Sequence, residues 1–433
     1  MIQGNGVPSA NEAWEELIDR YCIAEQVEKN GLFHIQASQI KEYREPRLMA
    51  KWDSSDSLPE ILKKNKLNIL PTSYSSYVMG DFLLYQEIPK RGDGAGQMER
   101  VELPEFETID IQNINSEANA INVLKISGIL DSFLSTGPNI ATFNGRMGTG
   151  PFSFWVDTFR GIKREIHVSG AQCEIDGGFE NSESVVILEA KNVVHDDFHV
   201  RQLYFPYRLW SAKVKKPVRL VFSVYSNRIF RLFEYRFLDQ GDYSSIELVR
   251  SKNYALQDTK ITLDDLCEVR GWTRVSTDDN MEVSEVPFVQ ANSMDKVISL
   301  LENLHGNPMN GQQIAELMDF EPRQSDYYYN AGRYLGLFEK SAGSKLVTLT
   351  KLGEGIYQAS YKERQLKLAG LILRHKIFAD FFDQVIQTGE FPDKDAVQQK
   401  MREYRVCNEG QISRRASSVL GWLKWMFHLT ELS

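Results

Sequence analysis

The clearest pattern in the chain is a series of apolar runs between residues 164 and 237. Five segments rich in β-branched and aromatic residues predict strands: REIHVSG, QCEIDGGFE, SVVILEAKN, VRLVFSVYS and RIFRLFEYRF. Before them, ANAINVLKISGILDSFL has apolar residues at helical spacing, and the glycine-rich NGRMGTGPFSF predicts a loop. Strands flanked by helices in this way indicate a mixed α/β domain.

The two ends of the chain have different patterns. The N-terminal part predicts a helix over 11–29, a segment dense in charge (IKEYREPRLMAKWD), and then strand, turn and strand in LNILPTSYSSYVMGDFLLYQ. The C-terminal third is mostly helical in pattern, with one short strand candidate, LVTLT.

Two polar, aperiodic segments, near 92–115 and 276–292, predict linkers. They divide the chain into three regions: an α+β region at 1–115, a core with a mixed central sheet at 116–280, and a mainly helical region at 290–433. The fold class expected from this division is a multidomain α/β (α+β) protein.

Composition narrows the possible classes of protein. The four cysteines form no CxxC pair, which argues against a zinc ribbon or a disulfide framework and favours a reducing, cytoplasmic location. The N-terminus lacks the pattern of a signal peptide, and no apolar run is long enough for a membrane helix, so we expect a soluble protein with no membrane partner. The net charge of −9 weighs against a protein that coats nucleic acid, but not against a site-specific binder.

The strongest chemical signal lies at the end of one apolar run. SVVILEAKN has the continuous apolar sequence of a buried central strand, yet it ends in Glu189, Ala190 and Lys191. Residues two apart on a strand face the same side, so Glu189 and Lys191 project together. Two charges at such a position are costly unless they are paired or bind a metal.

Asp176 ends the preceding short β segment, 172–176, and the chain from 177 to 184 is long enough to return as a hairpin. Asp176 and Glu189 are then expected side by side. Two carboxylates directed at one point repel each other unless a cation lies between them, and ligands that are all oxygen favour Mg²⁺.

An Asp followed on the next strand by Glu-x-Lys resembles the PD-(D/E)xK nuclease superfamily, in particular type II restriction endonucleases. Ile175 stands where the motif's first residue is proline. The resemblance implies that Asp176, Glu189 and the carbonyl of Ala190 hold Mg²⁺. It also implies that Lys191 orients or deprotonates the attacking water, and that cleavage leaves 5′-phosphate ends.

A plainer interpretation of the same residues is a structural ion pair between Glu189 and Lys191 at a strand end. Acid-x-Lys triplets also occur by chance, and the chain contains another, Asp258-Thr-Lys260. That triplet follows a polar segment and has no acidic partner on a preceding strand, so we assign the chemistry to Glu189 and Lys191.

Several neighbouring residues are possible accessories to the site. Glu165 precedes the hairpin, Glu174 shares strand parity with Asp176, and Gln202 lies in HVRQLYFPYRLW, where related nucleases place a helix. Arg201 and Arg208 in the same segment are candidates for phosphate contact. For Glu174, a solvated role is the alternative.

Residues 293–355 resemble a winged helix-turn-helix domain. SMDKVISLLENLHG and GQQIAELMD predict two helices, EPRQSDYYYNAGRYLGLFEK predicts the third, and KSAGSKLVTLTKLGEGI predicts the wing. The third helix would enter the major groove. The candidate DNA contacts are Arg323, Gln324, Ser325 and Tyr328, with Lys340, Lys345 and Lys351 for phosphates. Winged helices also bind proteins, and that alternative stays open.

Further DNA contacts are expected at both ends of the chain. GQISRRASSVLGWLKWMFHL predicts a helix with Arg414 and Arg415 at its start as phosphate ligands, and with Trp422 and Trp425 in the core. The segment REPRLMAKWD resembles the N-terminal region of type II restriction endonucleases, which implies that Arg44, Arg47 and Lys51 face DNA.

The function expected from these observations is Mg²⁺-dependent, site-specific cleavage of double-stranded DNA in a restriction-modification setting. One chain carries one active site, so cutting both strands implies a homodimer, at least on DNA. No GxxxxGK[ST] motif is present, so no nucleotide cofactor is expected. The alternatives are a sequence-specific DNA-binding regulator with a degenerate nuclease domain, and a repair or nicking nuclease.

Overall fold

The structure is a computed structural model that describes residues 8–90, 98–103, 106–111, 113–114, 116–276, 286–340 and 343–432. Its N-terminal unit contains five helices and a three-stranded antiparallel sheet of order β1-β3-β2. In chain order the elements are α1 (Ala10–Tyr21), α2 (Ile23–Asn30), β1 (Phe33–Gln36), α3 (Ala37–Lys41), α4 (Pro46–Ala50), α5 (Glu60–Lys64), β2 (Asn68–Pro71) and β3 (Ser76–Gly80).

Local sequence explains the start and the interruption of the first helical segment. Ser9 and Glu12 form a reciprocal capping box that satisfies free N–H groups at the start of α1. Cys22 adopts a left-handed conformation between α1 and α2, so the single helix predicted over 11–29 is two helices. The strand, turn and strand predicted in LNILPTSYSSYVMGDF are confirmed as the β2–β3 pair.

The middle of the chain forms the largest sheet. Its elements are β4 (Tyr85–Glu87), β5 (Met98–Arg100), α6 (Glu117–Ile126), α7 (Ile129–Leu134), β6 (Ile140–Gly148), β7 (Phe152–Val156), β8 (Arg164–Val168), β9 (Gln172–Glu180), β10 (Val185–Lys191), β11 (Asp197–His199), α8 (Arg201–Ser211), β12 (Val218–Ser226), β13 (Ile229–Phe237), β14 (Ile246–Ala255) and α9 (Leu263–Trp272).

Seven of these strands form a mixed sheet of order β5-β14-β13-β12-β10-β9-β6. The β10–β12 and β14–β5 pairs are parallel, and the other neighbours are antiparallel. The parallel β10–β12 pair requires a crossover connection, which runs through β11 and α8. The predicted mixed α/β class with a mixed central sheet is confirmed.

Helices cover both faces of this sheet, and strand parity decides which side chains meet which helix. Val186 and Leu188 of β10 pack with the side chains of α6 and α7, whereas Ile187 packs with the side chains of α8. Glu189 and Lys191 share the parity of Ile187. They therefore lie on the α8 side, at the end of a strand whose other residues are buried.

Two expectations for the core are wrong. Asp176 does not end a strand, because β9 continues to Glu180 and only residues 181–184 form the turn to β10. The glycine-rich segment NGRMG is not a loop but the end of β6, because its residues from Gly145 to Gly148 pair with β9. Glycine's weak strand propensity is overridden by this pairing.

The C-terminal unit is helical with one two-stranded sheet. Its elements are α10 (Met294–Leu304), α11 (Gly311–Leu317), α12 (Pro322–Tyr334), β15 (Phe338–Lys340), β16 (Val347–Leu349), α13 (Lys351–Gln358), α14 (Tyr361–Leu373), α15 (Lys376–Thr388), α16 (Lys394–Glu403) and α17 (Glu409–His428).

The three predicted helices at 293–340 are present, but the third ends at Tyr334, and β15 forms from its last residues. The predicted wing is shorter than expected. It ends at Leu349, because Thr350 caps a new helix, α13, over the segment KLGEGI.

Strand pairing also connects the regions. The β4 strand pairs with β11, and β5 pairs with β14, so part of the region 1–115 belongs with the central sheet.

The predicted linkers at 92–115 and 276–292 lie partly outside the described residues. None of the helices in the described part of the chain combines the length and apolar character that a membrane span requires.

Candidate active site

A cavity of about 420 Å³ lies where the N-terminal unit meets the ends of β9 and β10 and the start of α8. Its charged lining has five cationic and four acidic side chains. They are Arg47, Lys51, Arg146, Lys191 and Arg201, together with Glu117, Glu174, Asp176 and Glu189.

Glu189 is held from two directions. Lys191 Nζ donates a hydrogen bond of 2.9 Å to Glu189 Oε1, and Gln202 Nε2 donates one of 2.6 Å to the same oxygen. Gln202 is the second residue of α8, which crosses the sheet face that carries Glu189. The predicted accessory role of Gln202 therefore has a structural basis in direct contact with Glu189.

Asp176 is placed beside Glu189 by the β9–β10 pairing. In the register of the two strands, Leu188 faces Gly177, which puts Glu189 next to Asp176 across the hairpin. Asp176 Oδ2 accepts a hydrogen bond of 3.0 Å from the backbone N–H of Ala190. Ala190 itself is buried and does not line the cavity, so a role for its carbonyl stays a prediction.

Burial decides the direction of the pKa shift at Glu189, whereas neighbouring charges decide it at Lys191. It raises the pKa of Glu189 to about 8, an effect that the charge of Lys191 only partly offsets. Burial lowers the pKa of Lys191, but Glu189 and Asp53 outweigh it and hold the pKa well above its ordinary value. A cation bound at Glu189 would favour the ionised carboxylate.

The residues present fit Mg²⁺. Asp176 and Glu189 offer carboxylate oxygens, and Gln202 Oε1 is a buried oxygen with no hydrogen-bond partner among the described residues. In the described part of the chain, no three His, Cys, Asp or Glu side chains come close enough to hold an ion by themselves. Mg²⁺ is commonly bound by one or two carboxylates, with water and substrate oxygens completing its coordination.

The N-terminal unit supplies residues that the sequence did not suggest as part of the catalytic centre. Asp53 Oδ2 lies 3.7 Å from Lys191 Nζ. Burial raises the pKa of Asp53, but Lys191, Lys51 and Arg201 outweigh it and lower the pKa to about 2. Asp53 follows the predicted DNA-facing segment, in KWDSSDS, where no periodicity marks it.

Of the predicted N-terminal DNA contacts, Arg47 and Lys51 line the cavity. Arg44 does not, because its guanidinium donates to the carbonyl of Pro8 (3.1 Å). Tyr74 and Tyr77 also line the cavity and were missed, since they lie in a turn and strand whose function the sequence left open.

The remaining accessory candidates, Glu174 and Glu165, differ in their position relative to the cavity. Glu174 lines the cavity and pairs with Arg146 at 3.4 Å, which brings the glycine-rich β6 to the site. Glu165 lies outside the cavity, on β8 of a separate two-stranded sheet.

The two arginines of α8 also differ. Arg201 lines the cavity, and its contact with phosphate stays a prediction. Arg208 instead donates to the Tyr204 hydroxyl and to backbone carbonyls, because its side chain lies over the Phe152 ring.

Three predicted DNA contacts of the C-terminal unit are wrong, because the fold buries them. Ser325 and Tyr328 lie on the inner face of α12. Arg415 is 8% exposed and donates to the carbonyl of Phe288 (2.7 Å). Arg414 and Arg415 lie in the second turn of α17 rather than at its start, which is Glu409.

The other C-terminal candidates remain at the surface. Arg323, Lys340, Lys345, Lys351 and Arg414 are exposed, and Gln324 is half-buried. Trp422 and Trp425 are buried in the core as predicted.

Three family models match successive parts of the chain, and each is described only as a domain of unknown function. They are DUF6996 over residues 11–79, DUF6997 over residues 80–255 and DUF7226 over residues 296–431. No curated protein and no solved structure matches the chain significantly. Asp176, Glu189, Lys191 and Gln202 thus lie within one family match, and Asp53 lies within another.

Proposed function

We propose that the chain is a Mg²⁺-dependent, site-specific endonuclease for double-stranded DNA, of the restriction-endonuclease type, with Asp176, Glu189 and Lys191 at its catalytic centre. The observation that carries the proposal is their convergence in one cavity. Two carboxylates from adjacent strands and the half-buried Lys191 lie beside four further cationic side chains.

Asp176 and Glu189 would hold the metal, with Gln202 keeping Glu189 in place. When bound, Mg²⁺ supplies Lewis-acid stabilisation of the charge that develops on a phosphodiester. The hydrogen bond from Gln202 fixes the direction of the Glu189 carboxylate, and such supporting contacts tune metal affinity.

Lys191 would act on the water and the phosphate. Its side chain is 14% exposed, and its ammonium group stays charged between Glu189 and Asp53. A cation in this position donates hydrogen bonds to the attacking water and offsets phosphate charge. Attack of this water on phosphorus, with the 3′ oxygen as leaving group, would break the P–O3′ bond and leave 5′-phosphate and 3′-hydroxyl ends.

The cationic lining gives the cavity a preference for the DNA backbone. Arg47, Arg146 and Arg201 can neutralise phosphates on either side of the cleaved bond. On the C-terminal unit, exposed Arg323 at the start of α12 and Lys345 in the wing are candidates for further contacts with the duplex. Because the described residues of one chain form one such centre, cutting both strands calls for a second copy on the DNA.

The test is cleavage of unmethylated phage DNA by the purified protein with Mg²⁺ or with EDTA. Lys191→Ala is compared with Lys215→Ala, an exposed lysine outside the cavity. We expect discrete fragments from the wild type and from Lys215→Ala with Mg²⁺, and none with EDTA or Lys191→Ala. Fragments that DNA ligase rejoins without prior phosphorylation would identify the predicted ends.

Intact DNA under every condition, together with a sequence-specific gel shift, would reject the enzyme and favour the DNA-binding regulator. Cleavage only at lesions or at one strand would favour a repair or nicking nuclease.

A further inference from the structure

A carboxylate from the N-terminal unit lies beside the proposed catalytic lysine. Lys191 Nζ is 2.9 Å from Glu189 Oε1 and 3.7 Å from Asp53 Oδ2. The exposed fractions of the three side chains are 14%, 8% and 19% respectively. The ammonium group is thus largely desolvated between two carboxylates from distant parts of the chain.

The loop that carries Asp53 is fastened to the segment before α8. The Asp53 carbonyl accepts a hydrogen bond of 2.8 Å from the His199 N–H. Two residues on, the Ser55 N–H donates to Asp197 Oδ1 (2.8 Å), and the Ser55 hydroxyl donates to the other Asp197 oxygen. These bonds fix the backbone of Asp53 relative to the sheet that carries Lys191.

The C-terminal unit also contacts the loop that carries Asp53. Lys296 of α10 is 6% exposed and pairs with Asp56 (2.9 Å) and with Asp196 (2.8 Å). Asp56 belongs to the Asp53 loop, but its carboxylate is paired with Lys296 rather than with Lys191. It therefore offers a matched control within one loop.

The charge environment of Asp53 points to Lys191 as its principal partner. Asp53 Oδ1 is buried and has no hydrogen-bond partner among the described residues. Lys51 approaches Asp53 only to 3.8 Å and is 41% exposed, so solvent screens that pair more strongly. A lysine ammonium on a flexible stem has no fixed direction by itself, and a second acceptor restricts it.

We propose that Asp53 is a positioning residue, which holds the Lys191 ammonium group at the catalytic cavity through a contact made across the boundary between the N-terminal unit and the central sheet. Its effect on cleavage rests on the proposed function. Its effect on the freedom of Lys191 does not, and the two are measured separately.

The kinetic experiment compares Asp53→Asn, which keeps the side-chain shape, with Asp56→Asn. We expect Asp53→Asn to lower kcat about tenfold. The KM for DNA and the Mg²⁺ concentration at half-maximal rate should be unchanged. Asp53→Glu should recover part of the rate, because it restores the charge. Asp56→Asn should lower thermal stability without this selective loss of kcat.

The second experiment needs no activity. Wild type and variants are treated with an amine-acetylating reagent, and modification of Lys191 is followed by mass spectrometry, with Lys215 as internal reference. We expect Lys191 to react severalfold faster in Asp53→Asn than in wild type or Asp56→Asn. Should Asp53→Asn not fold, Asp53→Glu is compared with wild type, and a changed Lys191 reactivity is again expected.

Unchanged Lys191 reactivity in a folded Asp53 variant would overturn the inference. A rise in the Mg²⁺ requirement with kcat unchanged would also overturn it, since Asp53 would then be a metal ligand. Equal losses in Asp53→Asn and Asp56→Asn would mark a purely structural role. If the wild type cleaves no DNA while Lys191 reactivity responds to Asp53, the proposed function fails and the positioning role stands.

Discussion

The side-chain amide of Gln202 donates a hydrogen bond of 2.6 Å to Glu189, thirteen residues earlier in the chain. The contact forms because α8 crosses the face of the central sheet to which Glu189 points. It occupies Oε1, the oxygen that also accepts from Lys191. Among the described residues, no group donates to Oε2, so that oxygen is available to a ligand in the cavity.

Loss of this amide should weaken the proposed metal site. In Gln202→Ala, we expect the Mg²⁺ concentration for half-maximal cleavage to rise about tenfold, because an unsupported carboxylate is less well oriented. Gln399→Ala, at an exposed position of α16, is the control. An unchanged Mg²⁺ requirement in a folded Gln202→Ala protein would argue against Glu189 as a ligand.

Arg146 should contribute to DNA affinity through charge. It lines the cavity, and its ion pair with Glu174 is half-exposed and can yield to a phosphate. In Arg146→Ala, we expect weaker binding and a slope of log K against log salt reduced by about 1. The measurement is fluorescence anisotropy with Ca²⁺ in place of Mg²⁺.

The matched control for Arg146 is Arg236→Ala. This arginine pairs with Glu247 at similar exposure, but it lies outside the cavity. Identical salt slopes for the two variants would remove Arg146 from the DNA interface.

Substitution of two neighbouring arginines of α17 should affect the free energy of unfolding differently. Arg415 is buried against the Phe288 carbonyl, so Arg415→Ala should lower the free energy of unfolding by about 2 kcal/mol. Arg414 is exposed, and Arg414→Ala should leave that free energy unchanged. Urea unfolding measures both. A variant pair of equal stability would contradict the buried position of Arg415.

Asp319 should make stability depend on pH. Asp319 lines a second cavity, of about 360 Å³, together with Lys191 and Asn192. Burial, together with the charge of Asp53, raises its pKa from 3.8 to about 7, so the folded state holds the proton more tightly than the unfolded state. The stability gained from that proton is complete below pH 4 and is lost as the pH rises to 7.

The neutral substitution Asp319→Asn removes this loss. Asn also tolerates the left-handed conformation at this position (φ 51°). The stability of Asp319→Asn relative to wild type should therefore increase between pH 4 and pH 7, by on the order of 2 kcal/mol, and then level off. Urea unfolding across this range, with the exposed Asp326→Asn as control, measures the difference. A pH-independent difference would contradict the raised pKa.

Much of the candidate site follows from local sequence. The apolar run before Glu189 and the shared parity of Glu189 and Lys191 depend only on neighbouring residues. The short connection to Asp176 makes the hairpin a local structure as well. The strands β8, β9, β10, β12 and β13 could be predicted for the same reason, since they carry their own apolar patterns.

The outer parts of the site depend on contacts between distant segments. Asp53 reaches Lys191 because its loop is bonded to the β11 segment, and Arg146 reaches the cavity because NGRMG pairs with β9. No pattern of residue spacing in the sequence indicates either contact.

Whether a single side chain is buried also depends on contacts between distant segments. Ser325, Tyr328 and Arg415 look like surface residues in the sequence, but their helices present them to the core. By itself, the sequence determined most of the strands and helices and the Asp176, Glu189 and Lys191 set, because these arise from short-range periodicity. Only the tertiary structure decided which other charges surround that set, because long-range packing has no local signature.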